Sequence, residues 1–111
     1  MKIIYNKYLP IKGYAAFNLF GLFLARREYK PLSAILINHE SIHTAQMKEL
    51  LYIGFYLWYG VEWLVRLIQY RNTKQAYYNI SFEREAYTND QDATYLKGRK
   101  PYAFIWYLMK V

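Results

Sequence analysis

The spacing of apolar residues changes along the chain, from an extended pattern near the N-terminus to a helical pattern after residue 31. Residues 2–9 and 14–27 are rich in Ile, Tyr, Phe and Leu, and Pro10 and Gly13 separate the two runs. Such runs bounded by turn residues predict a small β-hairpin or sheet. Residues 17–25 do not alternate cleanly between apolar and polar, so a buried helix is a second interpretation of that run.

The first predicted helix carries a regular apolar face. From Pro31 onwards, residues of this face recur at steps of three and four, and they are Leu32, Ile35, Leu36, His39, His43, Met47 and Leu50. This period is that of an α-helix. Both histidines of the chain are therefore predicted to lie on the apolar side of the helix.

Residues 50–68 form a second predicted helix with two interpretations. The segment has about the length that spans a bilayer, but it contains Glu62 and Arg66, four residues apart and in the order that favours a helical ion pair. One interpretation is a buried core helix that carries this pair. The other is a segment at or in a membrane surface, because Trp58, Trp63 and several tyrosines resemble an aromatic belt.

The remaining pattern predicts two further helices. Asn72 followed by Gln75 resembles a capping box, so a third helix begins there and continues to about Tyr95, with a break at Ser81. Gly98 suits a helix end, and Pro101 suits the first turn of a short helix over 102–109. The chain is thus predicted to be a single α+β domain over residues 1–111, mainly helical, with a small N-terminal hairpin or sheet packed on three to four helices.

Composition and charge narrow the chemistry. The chain has 111 residues and no cysteine, so any metal must be held by histidines and carboxylates. The N-terminus shows no signal-peptide pattern, which predicts a cytoplasmic protein, peripheral to the membrane if residues 50–68 contact lipid. The net charge of +7 allows an anionic partner, but the basic residues are scattered and accompany no nucleic-acid-binding motif, so a nucleic-acid partner is not predicted.

One short motif carries recognisable chemistry. Residues 39–43 read His-Glu-Ser-Ile-His, and His39 and His43 are the only histidines of the chain. On a helix, residues four apart lie on one face, so both imidazoles can bind one Zn²⁺. Glu40 lies beside them and is the predicted catalytic base, which takes a proton from the metal-activated water.

A hydrolytic zinc site also needs a third protein ligand, and a helical wheel separates the two nearest candidates. Glu83 shares its face with apolar residues and is predicted to point inward, so it is the expected ligand. Glu85 shares its face with Ser81 and Thr88, and we expect it to be a surface acid or to support a ligand, and it is the alternative to Glu83 as the third ligand. Asp90 lies on the face of Glu83 and is positioned to orient a ligand histidine.

The two motifs together resemble the gluzincin zinc metallopeptidases. The likeness is greatest to the small soluble minigluzincins and to the catalytic cores of membrane metallopeptidases that process prenylated proteins or respond to stress. Their second motif is E-x-x-x-D, in which the first Glu binds zinc. Here residues 83–87 read Glu-Arg-Glu-Ala-Tyr, so Glu83 matches the ligand and Tyr87 replaces the aspartate. Tyr87 or Asp90 is then expected to support the ligands in its place.

The resemblance implies a zinc-dependent metallopeptidase that hydrolyses peptide bonds in a peptide or protein substrate. It further implies that an edge strand within residues 14–27 holds the substrate by strand addition, and that residues 102–111 can lie across the cleft and block it. The alternative is a non-catalytic or self-inhibited zinc-binding scaffold associated with a membrane or a protein partner, because the same three ligands serve both functions.

Overall fold

The fold is an α+β arrangement, as predicted, in which a small sheet packs on a mainly helical body. The computed structural model describes residues 2–10 and 15–109. The predicted turn residue Gly13, residue 14 and residues 110–111 lie outside this part. The strands are β1 (Ile3–Asn6), β2 (Ala16–Leu19) and β3 (Leu22–Arg26). The helices are α1 (Ala34–Glu49), α2 (Ile53–Tyr70), α3 (Thr73–Tyr78), α4 (Ser81–Asn89) and α5 (Tyr95–Gly98), with 3-10 helices at Arg27–Tyr29 and Ala103–Tyr107.

The sheet has the order β1-β3-β2, with β1 parallel and β2 antiparallel to β3. A tight turn at Phe20 and Gly21, both with positive φ, joins β2 to β3. The helical interpretation of residues 17–25 is therefore wrong. The pattern looked irregular because the buried residue of β2 is polar: the Asn18 side chain donates to the Glu40 carbonyl of α1 at 2.9 Å, while Phe17 is exposed.

The helix ends follow local capping signals. Ser33 caps α1 by accepting from the Leu36 N–H, and Asn72 caps α3 by accepting from the Gln75 N–H, at the position that the sequence predicts. The predicted break at Ser81 is present, because α3 ends at Tyr78 and α4 begins at Ser81, but α4 ends at Asn89 rather than near Tyr95. The predicted last helix over 102–109 is a 3-10 helix.

The core lies between α1, α2, α4 and the C-terminal segment. Its centre is formed by the buried side chains of Met47, Phe55, Ile80, Phe82 and Phe104. The rings of Phe55 and Phe82 lie 4.5 Å apart between centroids, and those of Phe82 and Phe104 lie 4.8 Å apart. This packing fixes α4 against α1 and α2, and it thereby fixes the side chains that α4 presents to the histidines.

The prediction that α2 is a buried core helix is wrong, because its aliphatic residues are not the ones that are buried. The predicted ion pair is present, because the Arg66 guanidinium lies 3.1 Å from the Glu62 carboxylate, but these two charged residues are buried while most aliphatic residues of α2 are exposed. A long helix rich in apolar residues thus faces outward with its apolar side. Among the described residues, no helix is both long and apolar enough to cross a bilayer.

Candidate metal centre

Helix α1 brings the two histidine rings together. His39 and His43 lie one turn apart, their Nε2 atoms are 3.1 Å from each other, and both side chains are buried. Their position on the apolar face, which the sequence predicts, turns them toward α4 rather than toward solvent.

Helix α4 adds a carboxylate to the same point. Glu83 is buried, and its Oε1 lies 3.1 Å from His39 Nε2 and 3.1 Å from His43 Nε2. The three atoms therefore form a nearly equilateral triangle. Zinc bound at about 2.0–2.1 Å in tetrahedral geometry separates its ligand atoms by about 3.3 Å, so these residues fit a zinc ion with little movement.

The electrostatics of the cluster favour a cation at its centre. Burial opposes the charged form of His43, but the Glu83 carboxylate outweighs burial and raises the pKa of His43 to about 9. Burial likewise opposes the charged form of Glu83, yet the charge of His43 and hydrogen bonds from both rings hold the pKa of Glu83 well below its ordinary value. The carboxylate is thus stabilised by a proton on the cluster, and a metal ion can replace that proton.

The outer nitrogen of each histidine has its own acceptor. His39 Nδ1 lies 3.1 Å from Asp90 Oδ2, the role predicted for Asp90, and His43 Nδ1 lies 2.8 Å from Gln46 Oε1. The Gln46 amide nitrogen donates to the Phe82 carbonyl, so its oxygen is the atom that faces His43. When both rings are neutral, a proton on each Nδ1 would satisfy these acceptors and leave the Nε2 lone pairs for a metal.

Two further side chains of the site, Tyr59 and Gln46, are hard to identify from the sequence alone. The Tyr59 hydroxyl donates to the second oxygen of Glu83 at 2.6 Å, and burial together with that carboxylate raises the pKa of Tyr59, so the hydroxyl stays protonated. Gln46 follows His43 by three residues, and its only signal is that a polar residue continues an otherwise apolar face.

Glu85 is not a surface acid, which was one of the roles that the helical wheel predicted for it. Its side chain is fully buried and accepts hydrogen bonds from Tyr95, Arg99 and Gln46. The physical reason is that residues 95–99 and α1 cover the face of α4 that the wheel assigned to solvent. Glu85 contacts Gln46, which in turn contacts His43, so the other predicted role of Glu85, support of a histidine of the candidate site, agrees with its position. Tyr95 and Arg99 serve this buried network.

Tyr87 packs on the site without replacing the missing aspartate. Its ring lies 4.4 Å from the His39 ring, centroid to centroid, and its hydroxyl shares a 2.9 Å hydrogen bond with Tyr77. Burial raises the pKa of Tyr87 to about 12. Asp90 therefore takes the supporting position, and Tyr87 covers the open side of the histidine.

Glu40 lies where two cavities meet. One oxygen of Glu40 and one nitrogen of each histidine all lie within 4.8 Å of one another, so Glu40 belongs to the cluster as a second carboxylate. Of the two carboxylates, Glu83 is the one positioned to hold a metal together with both histidines, because its oxygen lies 3.1 Å from each Nε2 atom. Burial raises the pKa of Glu40 above its ordinary value, against the opposing effect of the two histidines, which makes it a better proton acceptor.

The first cavity, of about 280 Å³, is mainly apolar and aromatic, and β2 and the helices α1 to α4 line it. The second, of about 330 Å³, opens on the side of His39 and Asp90. Glu40 and Tyr77 line both. Within the described residues, the segment 102–109 lines neither cavity; it packs on the far side, where the Tyr107 and Leu108 carbonyls accept from Arg84 and Arg66. The expectation that this segment lies across the cleft is therefore wrong for residues 102–109.

No similar protein indicates what this site does, so its chemistry is the basis for a function. No protein family, curated protein or solved structure matches this chain.

Proposed function

We propose that this protein is a zinc-dependent metallopeptidase of the gluzincin type, acting in the cytoplasm on a peptide or protein substrate. The observation that carries the proposal is the position of Glu83, whose oxygen is equidistant from the two Nε2 atoms although more than one helix separates it from them in the chain. A motif of five residues can arise by chance, but a buried acid at this distance completes a ligand set of two histidines and one glutamate, which is typical of catalytic zinc.

The residues of the site have distinct roles in this hydrolysis. His39, His43 and Glu83 would hold the ion, and zinc in such a site lowers the pKa of a coordinated water from about 16 toward about 7. Glu40 accepts the water proton as the new C–O bond forms at the carbonyl carbon, and it delivers that proton to the amine nitrogen as the C–N bond breaks. Tyr77 lines both cavities beside Glu40, and its hydroxyl is our candidate to donate to the developing oxyanion.

The surroundings of the site support an extended peptide with a bulky apolar side chain. β2 is an edge strand of the sheet and borders the first cavity through residues 16–18. The cavity walls include Phe17, Met47 and Phe55, which would bury an aliphatic or aromatic side chain of the substrate. We therefore expect cleavage next to such a residue.

The test compares zinc content and cleavage of a fluorogenic peptide library. Wild-type protein should bind one zinc and cleave, with activity lost on chelation. Glu40→Gln should keep the zinc and lose at least about 100-fold in activity, because the proton acceptor is gone. His39→Ala should lose both, while the exposed control Glu28→Gln should keep both.

Two outcomes contradict the proposal in different ways. Equal cleavage by wild type and Glu40→Gln would remove the enzymatic claim. Stoichiometric zinc with no cleavage of any peptide would instead identify the alternative, a non-catalytic zinc-binding scaffold.

A further inference from the structure

Helix α2 presents an apolar stripe to the outside of the molecule, and we call this stripe the outer face of α2. It consists of Ile53, Leu57, Val61, Leu64, Val65 and Ile68, whose exposed fractions lie between 47% and 78%. At 3.6 residues per turn, these six positions fall within an arc of about 120°. A surface helix of a globular protein normally has polar residues on that arc and apolar ones inside, so the burial of α2 is inverted.

The contacts on the opposite side of α2 explain why its aliphatic residues face outward. Glu62 accepts hydrogen bonds from Arg66, from the Trp58 indole and from the backbone and hydroxyl of Ser81 at the start of α4. Phe55 packs in the core, and Tyr59 holds Glu83. The side of α2 that faces the protein thus carries the Glu62–Arg66 pair and aromatic residues that pack on the core, whereas its aliphatic side is exposed.

The apolar surface continues beyond the helix. A groove of about 660 Å³ runs between Leu57, Val61 and Val65 of the outer face and Leu108 and Met109 of the C-terminal segment. Met109 and nearby Trp106 are themselves largely exposed. An exposed apolar patch of this extent marks a surface that binds something apolar.

The charges around the outer face favour a bilayer over a second copy of the chain as the partner that covers it. Between residues 50 and 82 the only acid is Glu62, which is buried, whereas Lys48 before α2 and Arg71 and Lys74 after it are exposed. Two copies paired through this stripe would bring like charges together at both helix ends, in either orientation. Anionic lipid headgroups instead place opposite charge beside each end.

We propose that the outer face of α2 lies in the interface of an anionic lipid bilayer, parallel to its surface, with Lys48, Arg71 and Lys74 among the headgroups. This inference does not depend on the proposed peptidase activity. Phe55 and Tyr59, which line the cavity at the histidines, lie on the other side of the same helix. The metal centre therefore stays open to solvent when the bilayer is bound.

The experiment is flotation of the purified full chain with vesicles of phosphatidylcholine, with and without about 30 mol% phosphatidylglycerol. The test variant is Leu57→Gln with Ile68→Gln, and the control is Ile4→Gln with Leu9→Gln, two exposed apolar residues away from α2 and from the cavities at the histidines. Zinc content and far-UV circular dichroism confirm that each variant is folded.

Wild type and control should float with the anionic vesicles, and the α2 variant should be recovered at least about tenfold less. High salt or neutral vesicles should reduce flotation of the wild type. The proposal is overturned if the wild type does not float, if the α2 variant floats equally well, or if light scattering shows a wild-type dimer that the α2 variant abolishes without any binding to vesicles.

Discussion

Each histidine of the candidate site has one acceptor at its outer nitrogen. Asp90 contacts His39 Nδ1, and removal of such a partner typically weakens a metal site 10- to 100-fold. We expect Asp90→Ala to lower zinc affinity by roughly that factor in competition with a chromophoric chelator. The matched control is Asp92→Ala, an exposed aspartate two residues away that binds Thr94. Equal affinities of the two variants would show that Asp90 has no part in the site.

The proton on His43 gives the metal site a pH signature. With its pKa raised to about 9, His43 carries a proton at neutral pH in the metal-free protein. A zinc ligand must be neutral, so binding should release about one proton near pH 7 and progressively fewer as the pH rises through the pKa of His43. Calorimetric titration in buffers of different ionisation enthalpy measures this number. Release of no proton at neutral pH would mean that His43 is not a ligand or is not protonated beforehand.

At the scale of single residues, the sequence predicts where a side chain lies if its position follows from local periodicity. His39, His43 and Glu83 each share a helical face with apolar residues, so their burial follows from the pattern alone. Only the surface position predicted for Glu85 is wrong, because the group that covers it, Arg99, comes from a separate segment. The sequence alone could not identify Gln46 and Tyr59 as residues of the site, since their roles depend on which helix lies opposite them.

One buried acid of α2 adds a polar link to the start of α4. Glu62 pairs with Arg66 and also accepts from the Ser81 N–H and hydroxyl, both at 2.6 Å. Glu62→Ala would leave a buried guanidinium unpaired, so we expect the free energy of unfolding to fall by about 3–5 kcal/mol. Glu28→Ala removes a partly exposed pair with Arg26 and should cost less than about 1 kcal/mol.

Denaturant titration of the metal-free variants measures both changes. If the two variants lose the same small amount of stability, Glu62 does not join the helices as described.

Elements were predictable where a local signal defines them. The caps at Ser33 and Asn72 and the period of α1 come from neighbouring residues. The break between α3 and α4 was indicated near Ser81, but the end of α4 at Asn89 had no comparable signal. The irregular pattern of β2 has a tertiary cause, since Asn18 is buried by its hydrogen bond to α1. The inverted burial of α2 is tertiary as well, because it follows from the contacts of Glu62.

Across the whole molecule, a metal ion at this site would connect α1 to α4. An ion that binds only the folded state stabilises it by about 2.7 kcal/mol when free zinc is 100-fold above Kd. For a chain of this size we expect Tm to rise by roughly 10 °C. Glu83→Gln should abolish most of the rise, and the exposed control Glu28→Gln should keep it. An equal rise in Glu83→Gln would mean that zinc binds elsewhere.

The central claim is that one zinc ion lies between His39, His43 and Glu83. Anomalous diffraction at the zinc edge from crystals of the zinc-loaded protein tests it most directly. We predict a single strong peak about 2.0–2.1 Å from both Nε2 atoms and from a Glu83 carboxylate oxygen. A peak at any other place, or one coordinated by the histidines without Glu83, would contradict the account.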